Sequence, residues 1–229
     1  SQFSRQNTMD RDFITIAEED FESGAEDWEN CDETAPSDWN EEWHLSTVGA
    51  YDGNSWWMGD EELGGYTSHR YLVLDTPVLT LSGTPELNFM LNLNCEDIGG
   101  EPPYDAWDGA NVRISTDGGV SWEVISGTPV YNGTGFYSFG YEFNEGEGIA
   151  GWGGTNLFHG WTAATFDLSA YANQDVKIRF AFASDPAYDT ADDPGMFGFK
   201  VDDIAIDTAS GVFESDGDGA AFERDGHFL

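Results

Sequence analysis

Positive charge is what this chain has least of. Its 229 residues carry 8 Lys and Arg against 44 Asp and Glu, a formal net charge of −36. Phosphate recognition needs a basic patch, so nucleic acid is excluded as a partner, and an anionic membrane surface is excluded on the same ground. No apolar run approaches the roughly 18 residues that a spanning helix needs, so membrane insertion is not expected. There are two cysteines, Cys31 and Cys95. They either pair as one disulfide, as in a secreted protein, or stand as two unrelated thiols. The four histidines, His44, His69, His159 and His227, are scattered. Neither a His-Glu-x-x-His nor a Gly-x-Ser-x-Gly motif is present, which removes the commonest hydrolase signatures. No signal peptide is visible, as in a mature or excised fragment.

What is abundant is acid and aromatic surface. So large a negative charge destabilises a compact state unless cations or salt offset it. The chain therefore reads as binding divalent cations, as adapted to a saline medium, or both. Disorder is opposed by the 15% aromatic content and the nine tryptophans.

Short strand patterns separated by turn signals run through the chain, with no long amphipathic helix. Leu87, Phe89, Leu91 and Leu93 alternate onto one face. Thr116-Asp-Gly-Gly119 sits between two strand-like runs, a strong hairpin signal. Pro77 marks an edge or break in the run 70–81. This pattern predicts an all-β fold, a two-sheet antiparallel β-sandwich of jelly-roll type. A polar arm is expected over residues 1–12, the domain over 13–207 and an acidic tail over 208–229. Residues 127–160 are rich in Gly, Asn and aromatics and run longer than most loops. They are either a functional insertion or a holder of short strands.

Residues 176–185 and 195–206 read as two long strands joined by an acidic loop. The second places Asp202 and Asp203 together inside an apolar run. Neighbouring strand residues face opposite ways, so one of the two should face inward. A buried carboxylate is costly unless paired or metal-bound, and bases are scarce here. That points to calcium.

Several segments, in order, carry a resemblance: Asp20-Phe-Glu-Ser-Gly24, Val112-Arg-Ile-Ser-Thr-Asp-Gly-Gly-Val-Ser-Trp122, Phe166-Asp-Leu-Ser-Ala-Tyr171, Val176-Lys-Ile-Arg-Phe180 and Gly198-Phe-Lys-Val-Asp-Asp-Ile204. Together they resemble the MAM-like jelly-roll modules of secreted bacterial proteins. These include the modules following immune-inhibitor-A-type metallopeptidases and the cleaved-adhesin domains of gingipains. The resemblance covers residues 18–207. It implies a structural Ca2+ near the first and last strands and an accessory role rather than catalysis. Carried over, the metal ligands would be Glu22, Asp52, Asn54, Asp202 and Asp203, with carbonyls completing the six to eight oxygens that calcium takes. The acidic stretch 26–42 and the insertion depart from the family's pattern.

Three further features bear on function. Glu101, Asp105 and Asp108 crowd one loop, and Asp185, Asp189, Asp192 and Asp193 another. If the loops meet, Asp105, Asp108, Asp185 and Asp189 form a second metal site, and otherwise they are a solvated acidic rim. Ser115-Thr-Asp-Gly-Gly-Val-Ser-Trp122 also fits the Asp-box pattern. A propeller would repeat it, so Asp117 is expected simply to hold its turn. Exposed aromatics could stack on sugars, the candidates being Trp56, Trp57, Tyr137, Tyr141, Trp152 and Trp161, with core packing as the alternative for each. The expectation is a non-enzymatic, calcium-stabilised adhesion or accessory module from a secreted or surface protein, binding an extracellular glycan or protein. A carbohydrate-binding module and a spacer whose only ligand is the ion are the alternatives.

Overall fold

The computed structural model describes residues 13–19, 21–22, 28–32 and 43–209. The expected arm, most of the stretch 26–42 and the tail from 210 onward lie outside the described residues. Among the described residues, twelve strands form two antiparallel six-stranded sheets. The first sheet contains β1 (Phe13–Glu19), β3 (Trp43–Ser46), β4 (Ser55–Met58), β7 (Pro85–Asn94), β10 (Thr162–Asp167) and β12 (Gly198–Ala209). Its order is β10-β7-β12-β4-β3, with β1 also on β12. The second sheet contains β2 (Glu29–Asp32), β5 (Tyr71–Asp75), β6 (Leu79–Thr80), β8 (Gly109–Ser115), β9 (Glu123–Val124) and β11 (Asp175–Ala183). Its order is β2-β5-β11-β8-β9, with β6 on β11. This is the predicted β-sandwich.

The period-two pattern does what it promised. Leu87, Phe89, Leu91 and Leu93 are buried between the sheets with Val112, Ile114, Ile178, Phe180, Phe182, Phe199 and Val201. The hairpin β8–β9 forms around the Asp-Gly turn. There Asp117 accepts the Ser121 N–H at 2.9 Å and the Ser115 hydroxyl at 2.8 Å. The Ser121 hydroxyl, donating at 2.6 Å, and then those two hydrogen bonds hold its carboxyl down at about 2.

The two long strands of the sequence reading, β11 and β12, do not pair. β11 lies between β5 and β8, and β12 between β7 and β4, so their acidic loop crosses from one sheet to the other. The two cysteines do not pair with each other: Cys95 lies in the main core and Cys31 beside a second cluster. That second cluster lies on the far side of the second sheet. Tyr71, Val73, Ala181 and Ala183 point away from the main core there and meet Phe136 and Phe139 of the insertion. The insertion holds a π-helical turn, Ser138–Glu142, and single bridges rather than strands of its own. Its close approach needs Gly109, whose missing Cβ would run into the Phe136 ring. Among the described residues no helix is long and apolar enough to cross a membrane.

Candidate metal centre and aromatic surfaces

One end of the sandwich gathers three chain segments. Glu96 follows the end of β7, Asp108 directly precedes β8, and Asp185 follows β11 after Ser184. Because Gly109 pairs with Ala183, the antiparallel register sets Asp108 and Asp185 at the same end of the second sheet. The facing β7 brings Glu96 to them from the first. Each of the three acids offers an oxygen within 4.8 Å of the others, and among the described residues this is the one such group of His, Cys, Asp and Glu.

The cluster is enclosed. Asp108 is fully buried, Asp185 is buried and Glu96 half-buried. Asp108 accepts the Tyr66 hydroxyl at 2.7 Å and the Asp185 N–H at 2.7 Å. Asp185 accepts the Ala187 N–H at 2.8 Å. Oε2 of Glu96 is buried with no hydrogen-bond partner. Among the described residues, none of the three forms a salt bridge. Burial, then the neighbouring acids, push Glu96 up to about 7. Burial pushes Asp108 well above the usual carboxylate range and raises Asp185 as well. Three carboxylates in such a place are stable when protons or a cation neutralise them. The donor set, all hard oxygen with one orphaned atom, fits Ca2+, with backbone carbonyls or water left to complete the shell.

Of the acids predicted for this second site, Asp108 and Asp185 come together. Asp105 does not join them. It is exposed and accepts bonds from the Thr134 hydroxyl and the Thr134 and Gly135 N–H groups. Burial acts to raise its carboxyl, but those bonds hold it below the usual range. Asp189 is spent on the Ser68 and Ala191 N–H groups. Glu96 was missed by the sequence reading. Its signal was an acid two residues past the alternating run 85–94, at the start of the loop that carries Glu101, Asp105 and Asp108.

The residues predicted for the first site also converge, but differently. Four successive backbone N–H groups of one loop point at carboxylates. Tyr51 and Asp52 donate to Asp202 Oδ2 at 3.2 Å each, Gly53 to Asp52 at 3.0 Å, and Asn54 to Glu22 at 2.6 Å. Asp202 is fully buried, covered by this loop rather than by the core. Burial pushes its carboxyl up to about 6. Asp203 is exposed in a bulge of β12, with φ 47°. The bulge breaks the alternation on which the inward-facing argument relied.

The aromatic candidates divide sharply. Trp56, Trp57 and Trp152 are 7%, 1% and 0% exposed, and are core or covered residues closed to a ligand outside the fold. Tyr137 and Tyr141 stack at 4.8 Å, with Tyr141 60% exposed. Tyr104 and Trp107 meet Tyr137 edge-on at 5.4 and 5.3 Å. The Tyr137 hydroxyl bonds to Glu142, and the carboxylate of Asp185 acts on it too. This aromatic surface therefore lies at the same end as the three acids. Trp161 is half-buried on the outer face of the first sheet, edge-on to the exposed Tyr51 at 5.8 Å.

No family model matches the sequence, and no curated protein matches it. Solved structures similar to the chain include two cleaved adhesin domains of Lys-gingipain from Porphyromonas gingivalis W83. The K1 domain is 20% identical with a TM-score of 0.46, over 86% of this chain and 99% of that one. The K3 domain is 18% identical with a TM-score of 0.45, over 84% and 98%. The carbohydrate-binding module TmCBM61, solved with β-1,4-galactotriose, is 11% identical with a TM-score of 0.42, over 82% and 92%. These are likenesses of strand arrangement alone.

Proposed function

We propose that this chain is a non-catalytic, calcium-stabilised binding module of a secreted or surface protein, engaging a glycan or protein outside the cell. The observation that carries the calcium is the enclosed trio Glu96, Asp108 and Asp185 with its unpartnered Glu96 oxygen. Hard carboxylate oxygens at that spacing hold a divalent cation and, without one, repel each other. A second ion at Glu22, Asp52, Asn54, Asp202 and Asp203 would tie the loop 51–54 to the bulge of β12. Both ions would be structural, because they join loops from different strands. The non-catalytic reading is supported by how described acids outside the trio are used: Asp60, Asp117 and Asp167 hold turns, and Glu29, Asp75 and Glu145 pair with basic side chains.

The test is a thermal melt in calcium and in excess EDTA, at fixed high salt. An ion bound only by the folded state stabilises by about 2.7 kcal/mol at a hundred times its Kd. The melting temperature should therefore drop in EDTA, and Glu96→Gln should shrink the difference. Coincident curves would remove calcium from the proposal.

A glycan is the better supported class of partner because of one feature. Tyr141, stacked on Tyr137, is 60% exposed, and a pyranose presents its C–H face to such a ring. The surrounding acids favour a neutral sugar over an anionic one.

A further inference from the structure

We infer a second sugar-stacking site on the outer face of the first sheet, formed by Tyr51 and Trp161 beside Asn92 and taking a neutral pyranose. It rests on the glycan reading above, but uses different residues on a different face.

The face is built by register. Trp57 pairs with Lys200, Lys200 with Asn92 and His44 with Trp57, so these four side chains form one row across four strands. Their neighbours Trp56, Met58, Leu91, Leu93, Phe199 and Val201 are in the core, which puts the row on the outside. Trp161 precedes β10 by one residue, and Thr162 pairs with Leu91, so the same register sets Trp161 beside Asn92.

Half of this row is closed. Lys200 lays its ammonium over the Trp57 ring at 4.1 Å and donates to the Val48 carbonyl. Burial pushes it down to about 8. At its other end, next to Asn92, the half-buried Trp161 and the exposed Tyr51 are held in place. Trp161 donates its indole N–H to the Gly49 carbonyl at 3.1 Å. Tyr51, 48% exposed, is anchored through its backbone to Asp202. The two rings meet at 62°. A ring held in place binds without the ordering penalty of a mobile one.

The chemistry of the pair selects the ligand. Two angled apolar faces next to an amide suit the C–H face and hydroxyl edge of a neutral sugar. An anion has nothing to meet, since Lys200 is already engaged.

The experiment is affinity electrophoresis of the full chain at high salt, through gels holding neutral β-glycans, polygalacturonate or oligolysine. Tyr51→Ala, Trp161→Ala and Tyr141→Ala are compared with wild type, and far-UV circular dichroism checks the fold. The expected result is a loss of about tenfold in affinity for one neutral glycan in both Tyr51→Ala and Trp161→Ala, the loss of one stacking contact each. Tyr51 is an exposed loop residue, so its variant remains informative if Trp161→Ala misfolds. Wild-type binding kept by Tyr51→Ala but lost by Tyr141→Ala would overturn this site and leave the glycan reading standing. No retardation of wild type in any neutral glycan gel would overturn both. Binding lost for oligolysine instead would also overturn it, in favour of a cationic peptide.

Discussion

The backbone N–H of Asp185 donates to the carboxylate of Asp108 at 2.7 Å, across 77 positions of sequence. The two acids are thus locked together through the backbone of one of them. The other oxygen of Asp108 takes the Tyr66 hydroxyl at 2.7 Å. Asp108 cannot swing to solvent without giving up both donors, so it stays turned toward Glu96. A rigid pair of acids with a third at the rim is how a preformed cation site is built.

Tyr66→Phe tests this lock. It removes the hydroxyl and leaves a buried carboxylate oxygen without its donor. The loss should be about 2 kcal/mol, read as a lower urea midpoint at unchanged m-value.

The pH dependence of the metal-free protein should run opposite to ordinary acid denaturation. Glu96 and Asp202 are pushed up to about 7 and about 6, and Asp108 and Asp185 are raised too. The folded state then holds protons that the unfolded chain, with carboxyls at about 4, releases. That stability is complete below the ordinary carboxylate range and is lost as pH rises toward about 7. In EDTA the melting temperature should fall between about pH 5 and about pH 7.5, and Glu96→Gln should flatten the slope. Calcium, which competes with those protons, should raise the melting temperature more at the higher pH.

The insertion should depend on one ion pair. Arg113 meets Glu145 at 2.7 Å, Tyr71 donates to the same oxygen at 2.5 Å, and the guanidinium lies 4.7 Å from the Phe139 ring centroid. Glu145→Ala leaves a buried arginine without its partner, at a cost of about 3 kcal/mol. Hydrogen exchange should speed up in residues 133–151 and stay slow in β7 and β12.

Trp152→Ala separates core from ligand roles. Trp152 packs against Tyr131, Phe158 and Phe166 and donates to the Pro129 carbonyl at 3.0 Å. Its loss should remove about 3–5 kcal/mol of stability. Glycan affinity measured on the remaining folded protein should not change.

What the sequence determined by itself was the local part. Alternation in 85–94, the Asp-Gly turn at 117–118 and the break at Pro77 are short-range patterns, and they gave the strands and the sandwich class. The scarcity of basic residues set the expectation that nucleic acid is not a partner. The surplus of acid pointed to a cation, and Asp108 and Asp185 were named from crowding within their loops.

Only the tertiary structure decided which acids meet. Glu96 joins Asp108 and Asp185 because β7 faces the β8–β11 pair across the core, a relation that no local pattern encodes. Asp105 and Asp189 look the same in sequence, yet backbone N–H groups claim them. The same holds for the aromatics. Trp57 and Trp161 both lie on the outer face of one sheet, but Lys200 covers the first while the second stays half-exposed. Strand periodicity reports which face a side chain is on. Whether that face is covered depends on loops and an insertion folded back from elsewhere in the chain, and only the packed molecule fixes where they lie.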